Sequence, residues 1–108
     1  MPFGVFLTAA AARDLEGLYH YITLRDAPGK AEHLLTRIET ALGSLSESPD
    51  RGAHPKELLA LGIREYREIF FKPYRVIYRV LASSVHVVLI ADGRRDMQTL
   101  LQRRLLDA

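Results

Sequence analysis

The stretch Gly62–Asp96, GIREYREIFFKPYRVIYRVLASSVHVVLIADGRRD, constrains the chain most. It holds three runs rich in β-branched and aromatic residues, Arg64–Lys72, Tyr74–Leu81 and Val85–Ala91. Lys72-Pro73 separates the first pair and Ala82-Ser83-Ser84 the second. Breaks this short join neighbours, so the stretch reads as an antiparallel meander. Strand side chains alternate between faces. Val76, Tyr78 and Val80 therefore point one way, and Arg75, Ile77 and Arg79 the other. With the first turn centred on Lys72-Pro73, Arg79 is expected across from Arg67 and Arg75 across from Phe71. That register puts Arg67, Arg75 and Arg79 on one face. Like charges facing each other repel, so this face is expected to stay open to an anionic partner. The alternative is three solvated strand positions, each paired with a local acid such as Glu65 or Glu68.

The meander needs a cover for its Val/Tyr face, and the residues before it supply one. MPFGVFLT reads as a first strand, Phe3–Thr8, and lacks the basic and long apolar regions of a signal peptide. Thr8 is placed to cap a helix starting at Ala9, with Asp14 and Glu16 early, where the helix dipole favours acid. Leu15, Leu18, Tyr19 and Ile22 make one helical stripe. After the break Arg25-Asp26-Ala27-Pro28-Gly29, a second helix is expected from Pro28 to Ser46, with Ala31, Leu34, Leu35, Ile38, Ala41, Leu42 and Leu45 on its apolar face. The two helices form a hairpin. Ser48–Gly52 is a turn cluster, and Glu57–Leu61 a short helical or irregular segment. Val85–Ala91 is apolar apart from His86, as suits a central strand buried on both faces. Met97, Leu100, Leu101 and Leu105 mark a short C-terminal helix capped by Asp96. The fold class is α+β in one domain, residues 1–108: an antiparallel β-sheet of the N-terminal strand plus the meander, packed on an α-helical hairpin, with a short C-terminal helix.

Composition narrows the chemistry. Cysteine is absent, which excludes disulfide scaffolds and Cys-ligated metal sites. No apolar run approaches the ~20 residues of a membrane span, so no membrane partner is expected and the setting is read as cytoplasmic. His20, His33, His54 and His86 have no metal-ligand spacing. No phosphate-binding Gly-rich loop or nucleophile elbow is present, and no metal or cofactor is implied. Net charge is +2 and unevenly spread: residues 1–54 carry five basic against seven acidic residues, and 55–108 carry ten against six. Twelve of the fifteen basic residues are arginine, the side chain suited to paired contacts with carboxylate and phosphate. Arg94-Arg95 precede a helix N-terminus, where an anion is favoured. With Arg75 and Arg67 they are expected to form one basic concavity; the alternative is a solvated turn in which Asp92 and Asp96 pair with the arginines.

The order strand, helical hairpin, meander with G-x-R-E-Y-R and P-Y-R-V-I-Y-R-V, then G-R-R-D and a Leu-rich tail resembles the RelE/ParE superfamily, the toxins of type II toxin–antitoxin modules. The most specific pieces are Tyr74-Arg75-Val76-Ile77-Tyr78 and Gly93-Arg94-Arg95-Asp96. RelE-like members cleave messenger RNA on the ribosome; ParE-like members poison DNA gyrase. By resemblance, two phosphate-binding arginines of RelE match Arg75 and Arg95, which would be the catalytic residues of a ribonuclease. The strand lysine falls on Ile69 and the C-terminal tyrosine on about Leu101, so the groups that move protons have no counterpart. The exit phrase, an apolar strand followed by a turn, Arg, Asp, Met and a Leu-bearing helix, resembles ParE more. The resemblance therefore implies a growth-arresting gyrase inhibitor without confident catalytic residues. Its target- or anion-binding set is Arg67, Arg75, Arg79, Arg94 and Arg95. A cognate antitoxin would lie on Leu15, Leu18, Tyr19, Ile22, Leu34 and Ile38. The alternatives are a ribonuclease acting on ribosome-bound messenger RNA and a non-toxic member.

Overall fold

The computed structural model describes residues 2–106. In chain order the elements are β1 (Gly4–Leu7), α1 (Ala9–Arg25), α2 (Lys30–Glu47), α3 (Lys56–Leu59), β2 (Tyr66–Phe71), β3 (Tyr74–Leu81), β4 (Ser84–Asp92) and α4 (Met97–Leu101), which runs on into a π-helical turn, Gln102–Leu106. The strand order is β1-β4-β3-β2. The meander β2-β3-β4 is antiparallel, and β1 joins β4 in parallel, so the sheet is mixed.

The hairpin forms where its sequence signals stand. The Thr8 hydroxyl accepts the Ala11 N–H at 3.1 Å and caps α1. Gly29, with φ of 92°, opens α2, and Tyr19 Oη donates to Glu32 Oε1 at 2.9 Å to tie the helices together. Ala11, Ile22, Ala31, Leu34, Ile38 and Leu45 pack on Ile69, Val76, Tyr78, Val85, Val87 and Ile90. Burying a side chain of this size stabilises by roughly 1.5–3 kcal/mol, which makes this layer the main source of stability.

The other sheet face is also covered. Leu58 of α3 and Met97 and Leu101 of α4 pack with Ile77, Val88, Leu89 and Ala91. Strand β4 reaches both layers through a bulge: Val87 pairs with Tyr78 and Leu89 with Ile77, leaving Val88 as the extra residue.

The arginine face expected from the sequence does not form, for two reasons. Only Lys72 and Pro73 lie between β2 and β3, so Phe71 pairs with Tyr74. Arg67 then lies opposite Tyr78, Arg75 opposite Phe70 and Arg79 opposite Tyr66. This register is shifted by one residue from the expected one, and such a shift turns a side chain to the other face. Arg67 accordingly leaves the face of Arg75 and Arg79; it donates to Gly52 O at 2.8 Å and Asp50 O at 3.3 Å. The second reason is α3 with α4, which close over the sheet where Arg75 lies. The single concavity expected from Arg67, Arg75, Arg94 and Arg95 is absent for the same reasons.

Candidate functional site

Each candidate arginine has a distinct environment. Arg75 is 9 % exposed. Its Nη1 and Nη2 donate to the two carboxylate oxygens of Glu57 at 2.9 and 2.8 Å, and its Nε donates to Glu68. The bidentate Glu57 contact, with Glu68 behind it, holds the guanidinium well above its ordinary pKa against the opposing effect of burial. In turn the Arg75 hydrogen bond lowers the Glu57 carboxyl below its ordinary value. Gly93 makes room for this arrangement: a Cβ there would lie 2.9 Å from Arg75 Cδ and 3.2 Å from Pro73 O. The glycine of the G-R-R-D phrase thus seats the arginine stem.

The rest of that phrase divides its tasks. Arg94 donates to Asp92 through Nε at 3.0 Å and Nη2 at 2.6 Å, which lowers the Asp92 carboxyl. Asp96 accepts the Thr99 N–H at 3.2 Å and caps α4. Arg95 is exposed and makes no ion pair among the described residues. Arg94 and Arg95 form one wall of a cleft of about 760 Å³ whose other wall is α1. Arg13, Gly17 and Tyr21 line that wall, and Leu18, Ile22, Tyr74 and Ile90 line its apolar part. Burial, reinforced by the Asp92 charge, holds the Tyr74 phenol above its ordinary pKa. Arg13 and Tyr21 were not singled out by sequence; their signal is the i, i+4, i+8 spacing of Arg13, Gly17 and Tyr21 beside the apolar stripe. Glu57 carried no signal, because its partner lies 18 residues away on a strand.

The C-terminal segment is fastened across this cleft's floor. Arg104 donates to both Asp14 oxygens at 2.8 and 2.9 Å and to Val88 O at 2.8 Å, while Asp14 accepts the Ile90 N–H at 3.0 Å. Strand β1 stops at Leu7, opposite Val87. The Asp14–Arg104 pair therefore supplies the backbone of β4 with the partners a longer β1 would have given. Asp14 is consequently engaged with the C-terminal segment rather than with the start of its own helix, where it was expected to act.

Of the residues expected to meet an antitoxin, Ile22, Leu34 and Ile38 are buried between helices and sheet. Their side chains serve the core. Leu15, Leu18 and Tyr19 stay half-buried, and Leu15 and Tyr19 line an apolar surface groove of about 390 Å³ with Leu7, Ala12 and Leu35. Among the described residues no three His, Asp or Glu side chains come together as a metal site, and no helix is long and apolar enough to cross a membrane.

A family model described as the ParE toxin of the type II toxin–antitoxin system parDE matches residues 5–97. The chain is 38 % identical over 94 residues to toxin RelE1 of Caulobacter vibrioides, covering 86 % of this chain and 96 % of that one. Among solved structures it resembles the chromosomal ParDE toxin–antitoxin system of P. aeruginosa, with TM-score 0.69 and 22 % identity over 83 % of this chain and 95 % of that one. It also resembles the RelBE2 toxin–antitoxin complex of Mycobacterium tuberculosis, with TM-score 0.60 and 24 % identity over 85 % and 92 %. Both structural likenesses speak to the fold. A helical hairpin on a four-stranded mixed sheet, matched in this way, is the architecture of the RelE/ParE superfamily of toxins. Within that superfamily the chain belongs to the ParE toxin family of type II toxin–antitoxin systems.

Proposed function

We propose that this toxin inhibits DNA gyrase through a protein contact, and that a cognate antitoxin neutralises it. The observation that carries this reading is the commitment of Arg75 to Glu57 and Glu68. Ribonuclease chemistry needs a free cation on the phosphate and groups that move protons. Here the strand arginine spends its charge on two carboxylates. Ile69 and Leu101, which stand where RelE carries its lysine and tyrosine, are buried in the two apolar layers. The Tyr74 phenol, kept protonated by burial and by Asp92, does not offer a base near neutral pH. What the surface offers instead is recognition: the cleft has an apolar centre rimmed by both signs of charge, Arg13, Arg94 and Arg95 with Asp26 and Asp92, and with Arg94 paired to Asp92 it leaves Arg13 and Arg95 to meet acidic groups of a protein surface. Arg67 and Arg79, placed elsewhere, take no part in that cleft. On the other side of α1 the Leu7/Leu15/Tyr19/Leu35 groove suits the apolar face of an antitoxin helix. Purified toxin added to gyrase and relaxed plasmid is expected to block supercoiling or accumulate cleaved DNA. Unchanged supercoiling and cleavage at saturating toxin would remove the reading.

Ribosome-dependent cleavage of messenger RNA is the second reading. It is favoured by the relative named toxin RelE1 and by Arg95 on the cleft wall, which makes no ion pair among the described residues. In-codon cuts that disappear in Arg95→Ala would establish it.

A further inference from the structure

Between α2 and β2 lies a hollow of about 330 Å³ that shares no residue with the Arg95 cleft or the Leu15 groove. Ala41, Ile69 and Phe71 form its apolar lining, and Arg37 and Arg51 supply its charge. Among the described residues no Asp or Glu lines it. The larger cleft differs here, because Asp26 and Asp92 enter its lining. Both arginines of the hollow are held by neutral groups. The Arg37 guanidinium lies 5.1 Å from the centroid of the Phe71 ring, and that ring rests against Tyr74 at 5.7 Å with the planes tilted by 52°. Arg51 Nη1 donates to Ser44 Oγ at 3.0 Å. Neither arginine has a carboxylate partner among the described residues, whereas Arg67, Arg75, Arg79, Arg94 and Arg104 each have one. A guanidinium carries five N–H donors, so most donors of this pair stay open. The Thr36 and Thr40 hydroxyls on the same wall donate to Glu32 O at 3.1 Å and Thr36 O at 3.0 Å, which leaves their lone pairs free to accept.

We propose that this hollow binds a small organic phosphate monoester of mononucleotide size. Each part of such a ligand has a counterpart in the lining. A monoester phosphate carries a charge of about −1.5 to −2 at pH 7 and three acceptor oxygens. That suits two guanidinium forks with no carboxylate to neutralise them. A flat ring suits Ala41, Ile69 and Phe71, and ligand hydroxyl or amino groups find acceptors at Thr36 and Thr40. Small-ligand sites begin at roughly 300 Å³, so the hollow has room for a single mononucleotide. The competing ligands fit less well. A carboxylate side chain brings one negative charge to two guanidinium groups. A phosphodiester inside a nucleic-acid strand also brings one, and its chain must continue on both sides. A purely apolar ligand would strip water from two cations and return nothing. Stacking alone does not make the site: Arg25 lies over Tyr21 at the same 5.1 Å, yet it lines neither this hollow nor the cleft. The inference is independent of which cellular target the toxin arrests.

The test is titration of the isotope-labelled full chain with adenosine monophosphate, followed by nuclear magnetic resonance. The amide signals of Thr36, Thr40, Phe70 and Phe71 should move and saturate, while that of Arg25 stays in place. Adenosine lacks the phosphate, and succinate carries two carboxylates without a ring; each should bind at least about tenfold more weakly. Arg37 and Arg51 are exposed, so glutamine at either position leaves the core untouched. Arg37→Gln and Arg51→Gln should each weaken binding of the nucleotide about tenfold. Arg37→Lys keeps the charge but loses the planar fork, and should also weaken it. Arg25→Gln should bind as the parent does. Circular dichroism melting of each variant checks that it folds. No saturable shift up to about 10 mM nucleotide, adenosine or succinate binding as tightly as the nucleotide, full binding by the folded double variant Arg37→Gln/Arg51→Gln, or an equal loss in Arg25→Gln would each overturn the proposal.

Discussion

Replacing Arg75 by Met tests how completely its charge is committed to the fold. The side chain is nearly buried, and its two partners are themselves largely shielded, at 13 % and 18 % side-chain exposure. Met fills similar space without charge, so Glu57 and Glu68 would remain inside without their cation. Breaking a buried pair by removing one partner costs about 3–5 kcal/mol, against a total of roughly 5–15 kcal/mol for a domain of this size. The expected loss in Tm is about 15 °C or more. The pH dependence sharpens the test. In the native protein the Glu57 carboxyl is held below its ordinary 4.5. Its contribution is therefore fully present above that value and is lost as pH falls through the lower, folded value. In Arg75→Met the Glu57 carboxyl is desolvated without its cation, so its folded value rises and acidification towards pH 5 relieves the strain. Urea unfolding at about pH 7.5 and pH 5 reads both effects. The variant should be several kcal/mol weaker at the higher pH, and the gap should narrow at the lower one. A loss below about 1 kcal/mol that does not change with pH would mean that the fold does not depend on the Arg75 charge, and would return Arg75 to the pool of ligand-binding residues.

Three further outcomes follow from the packing. Asp14→Asn weakens the clasp on Arg104 and on the Ile90 N–H; hydrogen exchange at Ile90 should quicken, with a stability loss of about 1–3 kcal/mol in chemical denaturation. Ala82 holds φ of 52° in the β3–β4 turn, a region that costs a Cβ-bearing residue about 1–2 kcal/mol, so Ala82→Gly should stabilise the protein by up to about 1 kcal/mol in the same assay. Leu15→Glu places a charge in the half-buried groove on α1; it should lower antitoxin affinity at least tenfold in calorimetry while the far-ultraviolet circular dichroism stays native.

Much of this architecture is legible in the sequence because its signals are local. Thr8 before an Ala-rich run and Asp96 before Met97 mark helix starts that the structure keeps. The alternation in Tyr74–Leu81 and the apolar run after Ser84 place the two central strands. The register of β2 is harder, because the choice between pairing Phe71 with Tyr74 and pairing it with Arg75 turns on a single residue in the hairpin connection. That one step decides which face Arg67 takes. The burial of Arg75 is harder still. It depends on α3, a single helical turn with no stripe to announce it, bringing Glu57 over the sheet. The parallel pairing of β1 with β4 joins segments about 80 residues apart, and no local pattern encodes it. Of the site, the G-R-R-D phrase is visible in sequence, while the α1 wall that faces it becomes visible only once the helix is laid beside β4.

Inducing the toxin and mapping messenger RNA ends and gyrase-linked DNA breaks in the same cells separates arrest through gyrase from arrest through message cleavage. Intact messages with gyrase-linked breaks and induction of the DNA-damage response are expected. Messages cut within codons, with unbroken DNA and cutting abolished by Arg95→Ala, would contradict arrest through gyrase.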